Sequence, residues 1–148
     1  MTRSHPLPTG DRILEPMIAL ARCSKQQRIV VAGSKSIELT SELNRRGFIH
    51  VASTANCGRA AGQYDVALVD WRRRTFQALE TTLDWLVDFL APSGLLVVWV
   101  DPQKQAVRQD LYAGLERRGL LIEDRAVHEF GSAVLARRRE ERPMPKAA

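Results

Sequence analysis

The chain alternates between short, unbroken apolar runs and longer stretches in which apolar residues return every three or four positions. "YDVALVD" at residues 64–70 and "LLVVWVD" at 95–101 are runs of the first kind, and each ends in aspartate. A strand with one wet face would alternate apolar and polar residues. A run without alternation belongs to a strand covered on both faces, as in a parallel sheet sandwiched by helices. "RIVVA" at 28–32 and "FIHVAST" at 48–54 are shorter, β-branched segments of the same character.

Between these runs the period is helical. Ile13, Leu14, Met17, Ile18, Leu20 and Ala21 follow helical spacing over 11–23; Pro16 is awkward inside such a helix, so the helix is expected to begin near it, with the proline in the first turn, where a missing N–H costs nothing. A second helix is predicted over 36–46, with Gly47 as its left-handed cap. Phe76, Leu79, Leu83, Leu86 and Leu90 mark a third, which "APSG" at 91–94 should stop; Val107, Leu111 and Leu115 mark a fourth over 104–118. "ANCGRAAGQ" reads as a loop or one helical turn. The ending changes: "LLIEDRAVHEF", a turn at Gly131-Ser132 and "AVLARRR" predict two strands joined tightly, hence antiparallel. The expected architecture is α/β, a mostly parallel sheet of about six strands with helices on both faces and a C-terminal antiparallel hairpin. It forms one domain over 11–138, between a flexible arm (1–10) and a disordered tail (139–148).

Bulk composition narrows the chemistry. The 148 residues, 45% of them hydrophobic, suffice for one core. The net charge of +5 is concentrated in arginine runs at 45–46, 72–74, 117–118 and 137–139. Such runs form either a solvated surface or a basic surface for nucleic acid, phosphorylated ligands or acidic proteins. Cys23 and Cys57 lack the paired spacing of a zinc site, so no metal is expected and both read as free thiols of a reducing compartment. No apolar run reaches the ~18 residues of a membrane span, and the N-terminus lacks a signal-peptide core, so a cytoplasmic protein is expected. His5, His50 and His128 are scattered and support no catalytic triad.

The order helix, alternating strands and helices, then an antiparallel hairpin resembles the Rossmann-like class I S-adenosylmethionine-dependent methyltransferases. Three stretches carry the resemblance: "RIVVAG" with the helix after it, "YDVALVD", and "LDWLVDFLAPSGLLVVWVD", similar to the family's helix, proline-glycine turn and next strand. The resemblance covers residues 28–137 and implies S-adenosylmethionine as cofactor. It also exposes departures. Val31 stands where the family has an acid two residues before its first glycine, and Lys35 and its serine neighbours replace the later glycines. The second strand ends in Ala52-Ser53-Thr54, without the acid that holds the ribose hydroxyls. Too few residues separate it from "YDVALVD" for the family's full complement, so one strand–helix unit is missing. The chain is identified as a degenerate member.

In an open parallel sheet, ligands bind beyond the carboxyl ends of the strands where strand order reverses. The residues expected there are Ala32, Gly33, Ser34, Lys35, Ser36, Ser53 and Thr54 for the cofactor, with Asp70 and Trp71 as catalytic candidates. Helix-start N–H groups and Lys35 suit an anion, although Ser34 or Ser36 could equally cap the helix. Asp70 could orient or deprotonate an acceptor, or serve as a cap or ion-pair partner to Arg72–Arg74. Trp71 could stack on a ligand or cover the sheet. Two functions follow: a small methyltransferase-like domain binding S-adenosylmethionine or a related nucleotide, acceptor unspecified, or a non-catalytic module binding a protein, a second copy of itself or nucleic acid. A flavodoxin-like or receiver-like domain is disfavoured by the terminal hairpin and by the lack of an acidic cluster after the first strand.

Overall fold

The structure, a computed structural model, describes residues 9–33, 35–53, 64–71, 75–101, 107–129 and 131–139, with the side chains of 9–12 outside the description. In chain order the elements are α1 (Thr9–Ala21), β1 (Ile29–Gly33), α2 (Ser36–Arg45), β2 (Val51–Ser53), β3 (Tyr64–Trp71), α3 (Phe76–Leu86), β4 (Leu90–Val100), α4 (Arg108–Arg117), β5 (Leu120–His128) and β6 (Gly131–Arg138). The six strands form one sheet in the order β2-β1-β3-β4-β6-β5, with β2, β1, β3 and β4 parallel and β6 antiparallel to both its neighbours. The expected mixed α/β architecture and its terminal hairpin are therefore present.

Both faces of the sheet are buried, as the unbroken runs require. On one face Leu79, Leu83 and Leu86 of α3 and Leu111 and Leu115 of α4 pack on Val30, Ala32, Val69, Val98 and Val134. On the other, Ile13, Leu14 and Met17 of α1 and Leu39 and Leu43 of α2 pack on Val31, Val66, Leu68, Val97 and Trp99. Chain order reverses at the β1–β3 boundary: β1 leads through α2 to β2 on one side, and β3 leads through α3 to β4 on the other. The carboxyl ends of β1 and β3 therefore flank the switch point.

Local expectations were altered where tertiary packing outweighed local preference. Pro16 does not open α1, which begins at Thr9 and carries the proline inside it. Ile13, Leu14 and Met17 beside it are at most 2% exposed. At about 1.5–3 kcal/mol per buried side chain, they outweigh the roughly 3 kcal/mol of an interior proline. The second strand is confined to Val51–Ser53, because the residues before it finish α2. Gly47 takes φ +100, the Phe48 N–H donates to the Leu43 carbonyl (3.0 Å), and the Phe48 ring is buried. "APSG" is not simply a stop: α3 ends at Leu86, and 91–94 form a bulge in β4, where the ladder jumps from Tyr64–Leu90 to Val66–Leu95. Pro92 is tolerated in a central strand because a bulge leaves its residues outside the ladder. Gly131 and Ser132 are not a turn; both belong to β6, with His128 opposite Gly131.

Among the described residues most arginines of the runs make ion pairs or hydrogen bonds within the fold, whereas Arg72–Arg74 lie outside the described residues. Arg45 pairs with Glu42, Arg46 with Glu42 and Glu15, and Arg117 with Glu80. Arg137 pairs with Glu123, and Arg138 donates to the carbonyls of Val87 and Leu90 beside the β4 bulge. Arg118 clamps α4 to α3, donating to Asp84 Oδ1 at 2.6 and 3.0 Å and to the Gly114 carbonyl at 2.8 Å. Arg118→Ala is expected to lower stability by about 1–2 kcal/mol, the range for hydrogen bonds to a charged group discounted for the exposure of Asp84. Urea unfolding checks this through the midpoint, with the slope unchanged.

Candidate functional site

The switch point gathers one set of the sequence-expected residues. Gly33 closes β1 at φ +114, directly opposite Asp70 of β3. A Cβ at Gly33 would lie 2.1 Å from the Asp70 carbonyl oxygen, so the only glycine of the "AGSKS" turn is required by backbone approach between these two strands. Ala32 faces the other way, into the α3/α4 core, and can offer a ligand only its backbone. Ser34 and Thr54 lie outside the described residues.

After Gly33 the chain enters α2 through Lys35, the residue at the N-cap, at φ −121 and ψ 40, whose side chain makes no cap hydrogen bond. The expectation that Ser36 caps the helix is thus corrected: Ser36 is the first helical residue, and its carbonyl accepts from Thr40 Oγ1 at 2.7 Å. The reason is register. The helix starts at Ser36, one residue earlier than a Ser36 cap requires, which puts a lysine where a hydroxyl would serve. Lys35 Nζ stands 4.0 Å from Glu38, with both side chains largely in solvent.

Ser53 ends β2 beside Val31 of β1. It shares a face with Val51, which packs in the α1/α2 core, so its hydroxyl lies on the α2 side. Ser53 is 2% exposed and its Oγ has no hydrogen-bond partner. Ser132 is also buried and without a partner for its Oγ, and it pairs with Val100 at the same end of the sheet. Buried polar groups are nearly always satisfied, so orphan hydroxyls are informative. Both stand in the carboxyl-end half of the sheet, where ligands bind in this architecture. The sequence reading missed Ser132 by assigning it to a turn; its only signal was a serine inside an otherwise apolar segment. Ser132→Ala is expected to keep or raise the melting temperature, since it removes a polar atom that costs about 1–3 kcal/mol to bury unpaired. A fall of more than about one degree in a thermal melt would show that the hydroxyl has a structural partner.

Asp70 and Trp71 do not face one crevice together. Adjacent residues of a strand point to opposite faces. Asp70 follows Val66 and Leu68 on the α1/α2 side, between Gly33 and Trp99 in the ladder. Trp71 sits in the α3/α4 core. Asp70 is fully buried and already engaged within the protein. Trp71 is 2% exposed; its Nε1 donates to the Thr75 carbonyl at 3.1 Å, and its ring packs on Phe76 with centroids 5.8 Å apart. On the Asp70 side a residue the sequence did not single out completes the wall. The Trp99 indole lies 6.0 Å from the His128 ring and fills the space where Gly131 would carry a Cβ.

Among the described residues no group of three His, Cys, Asp or Glu could hold a metal ion. Burial pushes the Cys23 thiol up to about 11, so it remains a protonated thiol near neutral pH and is no nucleophile. Cys57 lies outside the described residues. No described helix is long and apolar enough to cross a membrane.

No family model matches the sequence, and no curated protein does. Solved structures do. The chain is similar to a 1,6-didemethyltoxoflavin-N1-methyltransferase of Burkholderia thailandensis, determined with bound 1,6-didemethyltoxoflavin and S-adenosylhomocysteine: TM-score 0.57, 13% identity, over 89% of this chain and 77% of that one. It is similar to a TehB-like S-adenosylmethionine-dependent methyltransferase of Corynebacterium glutamicum: TM-score 0.57, 13% identity, over 85% and 87%. The cyclase SpnF matches at TM-score 0.62 and 12% identity, over 88% and 81%, so the same scaffold also bears a different named activity. At these identities the likeness concerns architecture, and it agrees with the strand order and the C-terminal hairpin. The chain has the class I methyltransferase-like, Rossmann-like α/β fold.

Proposed function

We propose that this is a small methyltransferase-like domain whose crevice, over the ends of β1 and β2, binds S-adenosylmethionine or a related nucleotide. The observation that carries the reading is the Ser53 hydroxyl, buried without a partner at the end of the strand beside the switch point. Around it the chain offers the N–H groups at the start of α2, which the N-cap side chain of Lys35 does not engage, the half-exposed Lys35, and the backbone of Ala32 and Gly33. These fit the carboxylate end of S-adenosylmethionine, through the helix start, and a single hydrogen bond to a ribose hydroxyl, through Ser53. They do not reproduce a carboxylate pairing with both ribose hydroxyls, since Val31 and Ser53 carry no charge. When bound, the cofactor would supply an electrophilic methyl group; this chain's part is to hold it and exclude water. Asp70, fixed between Gly33 and Trp99, would position an acceptor, and Trp71 would stiffen the wall from the opposite face.

A second reading, a non-catalytic module that kept the scaffold, is favoured by the burial of both catalytic candidates. Asp70 is 0% and Trp71 2% exposed, so neither presents a reactive or stacking surface to solvent. In this reading the partner is a protein, a second copy of the chain, or nucleic acid engaged through the remaining arginines, and the place of action is the cytoplasm.

S-adenosylhomocysteine in a thermal melt tests the first reading. Stabilisation follows RT ln(1 + [L]/Kd), so ligand at ten times its Kd adds about 1.4 kcal/mol, or roughly 3–6 degrees for a domain of this size. No shift at millimolar ligand would leave the interaction module. A labelled oligonucleotide titrated at low and moderate salt then tests its nucleic-acid form, which requires binding that weakens steeply with salt.

A further inference from the structure

We propose that β5 is an edge for self-association: two copies of the chain pair antiparallel through residues 124–128, with Ala126 facing Ala126 across a two-fold axis. The strand lies four places from β1 in the sheet, away from the crevice, and its pairing does not depend on what the crevice binds. The sheet ends in two edges. β2 offers only Val51–Ser53, whereas β5 runs for nine residues, Leu120–His128. A bare edge turns backbone N–H and C=O groups to solvent and is a template for another strand. Residues 121, 123, 124, 125, 127 and 128 of this strand are all exposed. Of the large hydrophobics exposed among the described residues, two are here, Leu121 at 46% and Val127 at 68%.

Natural edges are guarded by proline, lysine or a bulge. β5 contains no proline and no lysine. It does carry a bulge, where the ladder with β6 passes from Ile122–Ala136 to Asp124–Leu135 and leaves Glu123 over. Glu123 is held there by Arg137 of its own chain at 2.7 Å. The bulge changes which residues share a face. Before it, Leu120 and Ile122 pack on the α3/α4 side. After it, Asp124 and Ala126 stand opposite Leu135 and Ala133 of the α1/α2 core. His128 is on that side too, its ring centroid 6.0 Å from that of Trp99. Arg125, opposite Val134, takes the α3/α4 side, and Val127 shares it by alternation. Two copies related by an axis normal to the sheet must match like faces. A partner strand therefore cannot run regularly across the bulge, and regular pairing is confined to 124–128.

Within that stretch the side chains select one register. An axis between two residues would set opposite faces together. Centred on Asp124 or on Arg125, the pairing puts like charges against each other, which is destabilising. Centred on Val127 or beyond, it shortens. Centred on Ala126, it uses the whole stretch and places a small side chain on the axis. Asp124 then faces His128 of the second copy, and the Arg125 stem covers the exposed Val127 of that copy. Asp124 uses Oδ1 for the Arg125 N–H at 2.8 Å, which leaves Oδ2 for the imidazole.

Sedimentation velocity of the full chain, from about 10 µM to about 1 mM, tests the proposal, since so short an edge belongs to the weak, reversible class of interfaces. A monomer–dimer equilibrium is expected, with amide exchange at 124–128 slowing as concentration rises. His128→Asp sets carboxylates opposite Asp124 twice in each dimer and should weaken association about tenfold. Adding Asp124→Lys to it restores opposite charges and should bring affinity back to within about threefold of wild type. Both positions are exposed, so the variants should melt within about three degrees of wild type. If one does not, amide exchange of the wild-type chain decides. A chain that stays monomeric at the highest concentration overturns the proposal and leaves the edge to a strand of another protein. A dimer indifferent to His128→Asp, or not rescued by the double change, also overturns it, because association would then run through another surface or register.

Discussion

Replacing Gly33 by alanine should lower stability by about 3–5 kcal/mol, the sum of left-handed backbone strain in a residue with a Cβ and a forced displacement in a packed sheet. The site leaves the methyl group no room. Gly33 holds φ +114, and the added Cβ would lie 2.1 Å from the Asp70 carbonyl oxygen and 2.8 Å from its carbonyl carbon and amide nitrogen. All three are backbone atoms of the neighbouring strand, so no side-chain rotation relieves the contact; β1 and β3 must separate at their carboxyl ends. Gly119→Ala is the control, because Gly119 also has positive φ (+83) but an added Cβ there meets nothing within 4 Å. It should cost only about 1–2 kcal/mol, the backbone strain alone. Chemical denaturation of the two variants side by side isolates the contact as the difference. A Gly33→Ala variant no less stable than Gly119→Ala would mean that the β1–β3 ends are not held in this approach. Because a natural domain has only about 5–15 kcal/mol to lose, Gly33→Ala should also cost roughly 6–20 degrees of thermal margin or fold poorly at 37 °C.

The contrast between these glycines shows what could be read from the sequence. That Gly33 ends a strand and opens a helix was legible, because "RIVVAG" followed by a helical period admits little else. That it is a glycine on account of the Asp70 backbone was not, because the constraint comes from residues 37 positions away, brought together by the ladder. The same division runs through the chain. Strands buried on both faces announce themselves by unbroken apolar runs, so the sheet and the terminal hairpin were accessible. Their exact ends were not: Phe48 left the predicted strand for the core, and Pro92 entered a strand through a bulge. In the candidate site, positions were legible and directions were not. Asp70 and Trp71 look like one feature in sequence, yet the pleat sends them to opposite faces. Within the arginine runs, Arg46 and Arg118 each reach a neighbouring helix and Arg138 donates to the part-buried carbonyls of Val87 and Leu90. Such pairings join segments 31–51 residues apart and leave no local signature.

Trp71→Ala should be the second most disruptive change, at about 3–5 kcal/mol, the cost of emptying a core site of an indole. The ring is 2% exposed and rests on Phe76, and its Nε1–H binds the Thr75 carbonyl. Thr75 is the N-cap of α3, and its Oγ1 accepts from the Ala78 N–H at 3.0 Å. Trp71 therefore ties the end of the strand beside the switch point to the start of the helix behind it. Trp71→Phe keeps the ring packing and loses the hydrogen bond. The Thr75 carbonyl still accepts from the Leu79 N–H (3.1 Å), so no buried acceptor is stranded and the cost should fall to about 1–2 kcal/mol. The two roles proposed for this tryptophan diverge in the ligand titration. As part of the wall, Trp71→Phe should leave nucleotide affinity within about twofold of wild type, once allowance is made for the folded fraction. As a stacking surface, losing the larger ring should weaken binding by a sizeable part of the roughly 1–3 kcal/mol that a base–aromatic stack contributes. The indole is covered on one side by Phe76 and held at its nitrogen by Thr75, so it has no free face to offer a base. The expected result is the first: a less stable protein that, while folded, binds as before.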